Sequence, residues 1–311
     1  MKRTALVLAA HGSRSEPAVN EQIGGYAEAI AARNLFDEVA AAFHHGNPSF
    51  STVLDRLTAD DVTVVPVMTS VGYYSDIVLP CELARNDRYS HVETRQTAPL
   101  GTHASIIDLV ADRVRCLIER FRPGGNDGAF PSAVLHEDGR GEDARVSVSR
   151  PLHRPPLSRA EESGVSRFHR DSDGVSLAIV GHGTARHAQS RHATRDMAAW
   201  LRRMRIVDEV VTAFLDDDPP VETVVERVTH PTLILAPFLI GAGPHAVRDV
   251  PRRVGLNTPD NATPPFFGRV GDRFVICDEP IGSDPRIVEL IVELALSRPA
   301  GVPQKRVGAI G

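Results

Sequence analysis

The chain repeats itself. The run ALVLAAHGSR around His11 returns as LAIVGHGTAR around His182, a shift of 171 positions (182 less 11). At the same shift Phe43 meets Phe214, Pro48 meets Pro219, Pro66 meets Pro237, Gly72 meets Gly243 and Pro80 meets Pro251, with no gap across the stretch. Such a duplication requires one small fold used twice, and 311 residues suit about two domains of ~150 residues. One mismatch is chemical. Tyr74 stands where the second copy has His245, so only the second copy keeps a matched pair of histidines, and His11 is the odd one out.

Each copy alternates strand-like and helix-like segments. In the first, Thr4–Ala10, Glu38–Phe43, Val62–Met68 and Val92–Thr97 read as strands. Val19, Ile23, Tyr26 and Ile30 recur at helical spacing, Ser49–Leu57 reads as a short helix, and His103–Arg120 closes the copy. In the second, the strands are Leu177–Val180, Glu209–Phe214, Leu233–Pro237 and Phe274–Cys277. The last helix is expected after Gly282, capped by Ser283 with Pro285 in its first turn. Uninterrupted apolar strands between helices predict parallel sheets covered on both faces. The expected class is α/β: two similar lobes from internal duplication, each a small parallel sheet flanked by helices.

The lobes are placed at residues 1–121 and 175–298. Residues 122–174, poor in apolar side chains and rich in Gly, Pro, Ser and charge, read as a disordered linker, and 299–311 as a flexible tail. His136, His153 and His169 in the linker have no ligand-like spacing and read as solvated. The repeat resumes where APLG (Ala98–Gly101) matches EPIG (Glu279–Gly282) at a shift of 181, so the second copy carries ten extra residues between Pro251 and Pro280. They include Pro259, Pro264, Pro265, Phe266 and Phe267, read as a proline-rich loop whose aromatics either cover a cleft or tuck into the loop.

Composition excludes several functions. A net charge of −5 does not suit a general nucleic-acid binder. No run reaches the ~20 apolar residues that span a bilayer. The apolar start runs straight into His11 without a cleavage site, so it reads as a buried strand and not as a signal peptide. That argues against a periplasmic binding protein. Cys81, Cys116 and Cys277 are isolated, as expected of a reducing cytoplasm.

His11, His182 and His245 each follow an apolar strand. In open parallel sheets the carboxyl ends of strands form the ligand crevice, so these histidines are expected to face a cleft. Read singly, each is also an ordinary turn or cap histidine. Two imidazoles suit a borderline divalent ion such as Co²⁺, Ni²⁺, Fe²⁺ or Zn²⁺ and are too few for a permanent structural site. They fit an ion held briefly and passed on. The turn GAGPH lacks a phosphate-binding glycine pattern.

Three elements carry a family resemblance: GHG with a following hydroxyl residue at Gly181–Thr184; the stretch Pro237–Pro251 with His245, Asp249 and Val250; and C-x-E-P-[IL]-G at Cys277–Gly282. With these, the chain resembles the class II tetrapyrrole chelatases, and within them the sirohydrochlorin cobaltochelatases in their long, two-domain form. The resemblance implies two α/β lobes with the tetrapyrrole between them. It implies that His182 and His245 bind the incoming metal, that His182 and His11 are the catalytic histidines, and that one histidine helps remove pyrrole protons. Tyr74, Gly243, Arg14, Arg186 and Arg248 are the expected tetrapyrrole-binding positions. Arg252 and Arg253 also lie beside the motif turns and suit a polyanionic substrate, though each of these arginines reads equally as a solvated surface charge. The implied substrates are a sirohydrochlorin-like tetrapyrrole and Co²⁺, with no permanent cofactor, no nucleic-acid or membrane partner, and a homo-oligomer left open. Fe²⁺ or Ni²⁺ insertion, and a metal or tetrapyrrole carrier without catalysis, are the alternative readings.

Because residues 122–174 fall between the repeat boundaries, replacing most of them with a shorter Gly/Ser linker should leave metal insertion within about twofold of the parent rate. A complete loss in a protein that still folds would show that the segment builds part of the site.

Overall fold

The computed structural model describes residues 2–121, 174–183, 189–241, 243–259 and 262–297. Nearly all of the expected linker, the expected tail and Arg186 lie outside these. The first lobe runs β1 (Thr4–Gly12), α1 (Pro17–Ala31), β2 (Glu38–His45), β3 (Asp61–Pro66), α2 (Leu79–Leu83), β4 (Glu93–Gln96) and α3 (Ser105–Arg120). The second runs β5 (Val175–Gly181), α4 (Gln189–Met204), β6 (Glu209–Phe214), α5 (Val224–Arg227), β7 (Thr232–Pro237), α6 (Pro244–Arg253), β8 (Phe266–Val270), β9 (Arg273–Cys277) and α7 (Ile287–Leu296). The sheets order as β2-β1-β3-β4 and β6-β5-β7-β9-β8. The duplication holds to the residue: Ala9 opposes Pro66 in one lobe as Val180 opposes Pro237 in the other.

Four expectations are corrected. Ser49–Leu57 forms only a 3₁₀ turn at Val53–Arg56. Its start is held by side-chain bonds among Ser49, Ser51 and Thr52 that compete with a helix. Ser283 does not cap the last helix: it lies in a 3₁₀ turn (Ile281–Ser283), and α7 begins at Ile287. There the Asp284 carboxylate accepts from the Arg286 N–H at 2.9 Å. The second sheet is not wholly parallel, because β8 pairs antiparallel with β9. This strand is built from the ten-residue insertion, and the tight turn behind it uses Gly271 at φ +62°. Its two aromatics point to opposite faces of the sheet. Phe266 is buried on one face of the sheet, while Phe267 packs on Phe121 of the first lobe with ring centroids 4.9 Å apart.

The two lobes share one apolar core. Leu6 and Leu8 of β1, Ile23 and Ile30 of α1, Leu109 and Val114 of α3, Leu177 and Ile179 of β5, Leu201 of α4 and Ile291 of α7 belong to a single buried cluster. The opposite faces of the sheets bury separate clusters, Val7, Val64 and Leu83 in one lobe and Val180, Leu235 and Val250 in the other. Polar bonds cross the same interface. Tyr26 donates to the Gly282 carbonyl, where Gln22 also donates at 2.9 Å. Burial pushes the Tyr26 phenol up to about 12, so it remains a donor. Arg33 forks onto Glu289 with two bonds of 2.6 Å. Among the described residues no helix is long and apolar enough to cross a membrane.

Arg113 of α3 is the most enclosed of these cross-lobe cations. Its side chain is 12% exposed and bonds Asp278 at 2.8 Å and the Glu279 carbonyl at 2.9 Å. Removing one partner of a buried pair leaves the other charge stranded, at a cost of about 3 kcal/mol. Arg113→Ala should lower the urea midpoint accordingly, with the slope of the transition unchanged.

Candidate active site

Both strand-end histidines are held by the same backbone device. After β1 the chain turns through Gly12 at φ +69°, and after β5 through Gly183 at φ +68°. A Cβ at Gly12 would stand 2.8 Å from the His45 carbonyl, and one at Gly183 would stand 2.6 Å from the Asp217 Cβ. Glycine is therefore required by conformation and by space. The turn brings each imidazole back onto its own glycine: His11 Nδ1 lies 3.0 Å from the Gly12 carbonyl, and His182 Nδ1 lies 3.0 Å from the Gly183 carbonyl. A carbonyl can only accept, so Nδ1 carries the proton and Nε2 keeps its lone pair free. A bond of this kind fixes the tautomer and orientation of metal-binding or basic imidazoles.

In the second lobe a carboxylate joins His182. Asp216, just past β6, places Oδ2 at 3.3 Å from His182 Nδ1, and its N–H donates to the His182 carbonyl at 2.9 Å. Both side chains are largely exposed. Sequence reading missed Asp216. Its signal was present, since at the repeat shift it faces His45 of the first copy. His245 lies in the first turn of α6, past the carboxyl end of β7, and its side chain is outside the described residues. Gly243 is buried, and a Cβ there would stand 2.3 Å from Glu16 Oε2 and 2.7 Å from Val19 of the first lobe. Its place is thus at the contact between lobes. Arg248 is half-buried on α6, and Arg14 is exposed after β1.

In the first lobe His11 is not alone. It lies with its ring centroid 4.9 Å from His45, 5.7 Å from His44 and 4.5 Å from Tyr74. His44 and His45 come from the end of β2, beside β1 in the sheet. At the repeat shift they meet Leu215 and Asp216, residues of a different type, so the sequence alone did not mark them. Tyr74 opens a π-helix, Tyr74–Val78, a form that recurs at functional sites. Beside it Val71, Tyr73 and Ile77 are exposed. Burial lowers the pKa of His11, and the neighbouring His44 and His182 lower it further. Burial likewise lowers that of His45, with His44, His11 and Arg14 adding to it. The influence of His182 on His11 places the two strand-end histidines within electrostatic reach across the lobe boundary. Among the described residues no three His, Cys, Asp or Glu side chains converge as a ready-made metal cage.

Two duplicated α/β lobes, each with a glycine-braced histidine at a strand end, define the class of protein, and comparison with known proteins shows the family. The sequence model of the CbiX family matches residues 5–117 and 176–297, and the chain belongs to that family. It is 28% identical over 299 residues to a probable sirohydrochlorin cobaltochelatase from Halobacterium salinarum, covering 96% of this chain and 92% of that protein. Its fold is similar to that of SirB from Bacillus subtilis, solved with Fe³⁺, at 17% identity and a TM-score of 0.62, covering 94% of each chain. It is similar also to a multi-domain Deinococcus radiodurans protein with structural similarity to chelatases (22% identity, TM-score 0.56). That likeness covers 95% of this chain and spans 55% of the other.

A histidine whose pKa is lower folded than unfolded binds its proton more tightly when unfolded. Stability should therefore hold above the unfolded value near ~6.5 and fall as pH drops through it toward the folded value. The His11 ring proton, followed by NMR, should titrate below 6.5, the value for an unperturbed histidine. A midpoint at or above that value would show that burial and the neighbouring imidazoles do not govern this ring.

Proposed function

We propose that this chain inserts a divalent metal ion, Co²⁺ foremost, into sirohydrochlorin. The observation that carries the reading is the pair of strand-end histidines, His11 and His182, each with Nδ1 held on a glycine carbonyl and Nε2 open, with a carboxylate beside one and imidazoles beside the other. The name of the Halobacterium relative supports the substrate and the metal. His182 and His245 hold the incoming ion, and Asp216, on the Nδ1 side of His182, orients that ring: neutral imidazoles suit a borderline ion, and so open a set lets it leave. His11, kept neutral by its surroundings, accepts the protons that the macrocycle must lose. Tyr74, edge-on to His11 at a centroid distance of 4.5 Å, offers an aromatic surface to a flat ring. Arg14, Arg186 and Arg248 meet its carboxylates. The free cysteines, Cys81, Cys116 and Cys277, agree with a reducing cytoplasm.

The test is the absorption change of metal-free sirohydrochlorin on mixing with purified protein and Co²⁺, Fe²⁺ or Ni²⁺ in turn. The fastest initial rate is expected with Co²⁺, while a carrier would bind without the spectrum of the metallated product. His182→Ala and His245→Ala should abolish turnover, and Asp216→Asn should lower it roughly 10- to 100-fold, as for residues that orient metal ligands. Tyr74→Phe should raise KM about 3- to 10-fold, the loss of one hydrogen bond, with kcat little changed. If His11→Ala abolishes turnover while His182→Ala stays near wild type, the roles of the two lobes are reversed and this assignment fails.

A further inference from the structure

The chemistry proposed above needs a destination for protons, and the first lobe carries a side-chain pair that the second lacks. His44 stands against His11, His45 and Tyr74, with ring centroids 5.7, 4.3 and 5.3 Å away. On its other side His44 Nδ1 lies 2.9 Å from Glu82 Oε1, with the two side chains 23% and 18% exposed. Glu82 comes from α2, and a pocket of about 340 Å³ adjoins the pair, lined also by Tyr73, Cys81 and Arg85. At the repeat shift of 171, His44 corresponds to Leu215 and Glu82 to Arg253. Arg253 is committed elsewhere, bonding Glu222 at 2.6 Å. The His–Glu pair is thus particular to the lobe in which Tyr74 replaces the matched histidine.

We propose that His44 and Glu82 form the proton outlet of the enzyme, carrying to solvent the protons that His11 takes from the macrocycle. The inference rests on the metal-insertion reading. For each ion inserted, two pyrrole N–H bonds break, each leaving its electron pair on nitrogen for the metal. Each proton forms a new N–H bond at His11 Nε2, the nitrogen left free by the bond from Nδ1 to the Gly12 carbonyl. The resulting imidazolium gives that proton to His44, and His44 gives it to water in the adjoining pocket. His11 returns to its starting tautomer, ready for the second proton. The groups along the route are set by contact: His44, His45 and Tyr74 crowd around His11, and the Glu82 carboxylate faces His44 on its other side, with Arg85 further along the pocket wall. Burial, with His44 and His182 adding to it, favours the neutral form of His11, so that ring does not keep a proton. His44 and Glu82 touch neither substrate nor ion in this scheme and act through His11.

The test uses the full chain with sirohydrochlorin and Co²⁺. Glu82→Gln and His44→Gln should lower kcat at least tenfold, with KM for the tetrapyrrole and the Co²⁺ binding isotherm of the free protein unchanged. Added imidazole buffer should restore kcat in the variants in proportion to its concentration and leave wild type unaffected, a response that a merely structural pair would not give. Glu82→Gln keeps the shape of the side chain, so it remains informative if His44→Gln folds poorly. A kcat within twofold of wild type in Glu82→Gln would overturn the proposal. So would a loss of Co²⁺ affinity parallel to the loss of kcat, which would make the cluster a metal site. A wild-type chain that binds both substrates without turnover would overturn the function itself, and the outlet with it.

Discussion

The orientation of the two lobes is fixed by a core that belongs to neither alone. Four helices, α1, α3, α4 and α7, lie between the sheets, and their apolar faces close on both. Alternate residues of β1 divide between the two layers: Leu6 and Leu8 face the shared core, Ala5 and Val7 the outer one. β5 does the same with Leu177 and Ile179 against Ala178 and Val180. Each large side chain in that layer stabilises by about 1.5–3 kcal/mol through burial. The ion pairs around the rim, Arg33 with Glu289 and Arg113 with Asp278, add orientation more than strength. The strand ends are therefore held opposite one another by the same packing that folds the chain.

That constraint explains the glycines at the lobe contact. Gly282 approaches the Ile240 backbone so closely that a Cβ would stand 1.8 Å from its carbonyl oxygen, and Gly101 approaches Thr69 in the same way at 2.2 Å. These contacts draw the turn after the last strand of each sheet against the turn after its third. In the second lobe that turn carries Gly241 and Gly243, which meet Val19 and Glu16 of the first. The lobe boundary is closed there by backbones with no side chain between them.

Much of this was legible in the sequence, and for physical reasons. Strands buried on both faces must be continuous apolar runs, so β1, β3, β5 and β7 were readable within a residue or two. The Gly12 and Gly183 turns were visible because only glycine serves there. What escaped depended on neighbours in space. β8 emerged from a proline-rich insertion only because β9 offers it an edge, and His44 and His45 became site residues only because β2 lies beside β1. Asp216 carried a faint signal, its match with His45, but a histidine and an aspartate are recognised as equivalent only once each is seen beside the same strand-end imidazole.

The duplication also suggests why the lobes diverged where they did. A histidine cannot ligate an ion and accept a proton on the same Nε2 lone pair. A single lobe inserting a metal must use its histidines in sequence or find the base elsewhere. Two copies of one backbone remove the conflict. Both lobes keep the Nδ1–carbonyl bond that frees Nε2, which ligation and proton transfer both require. They differ, among other positions, at two close to the strand-end histidine. Asp216 stands against His45 beside the strand-end histidine, and His245 against Tyr74 after the third strand. An acid beside His182 concentrates negative charge where a cation would rest. Burial and the neighbouring imidazoles favour the neutral form of His11. Under the proposed reaction, ion and protons therefore travel by different lobes, and the separation is set by side chains on a scaffold that did not have to change.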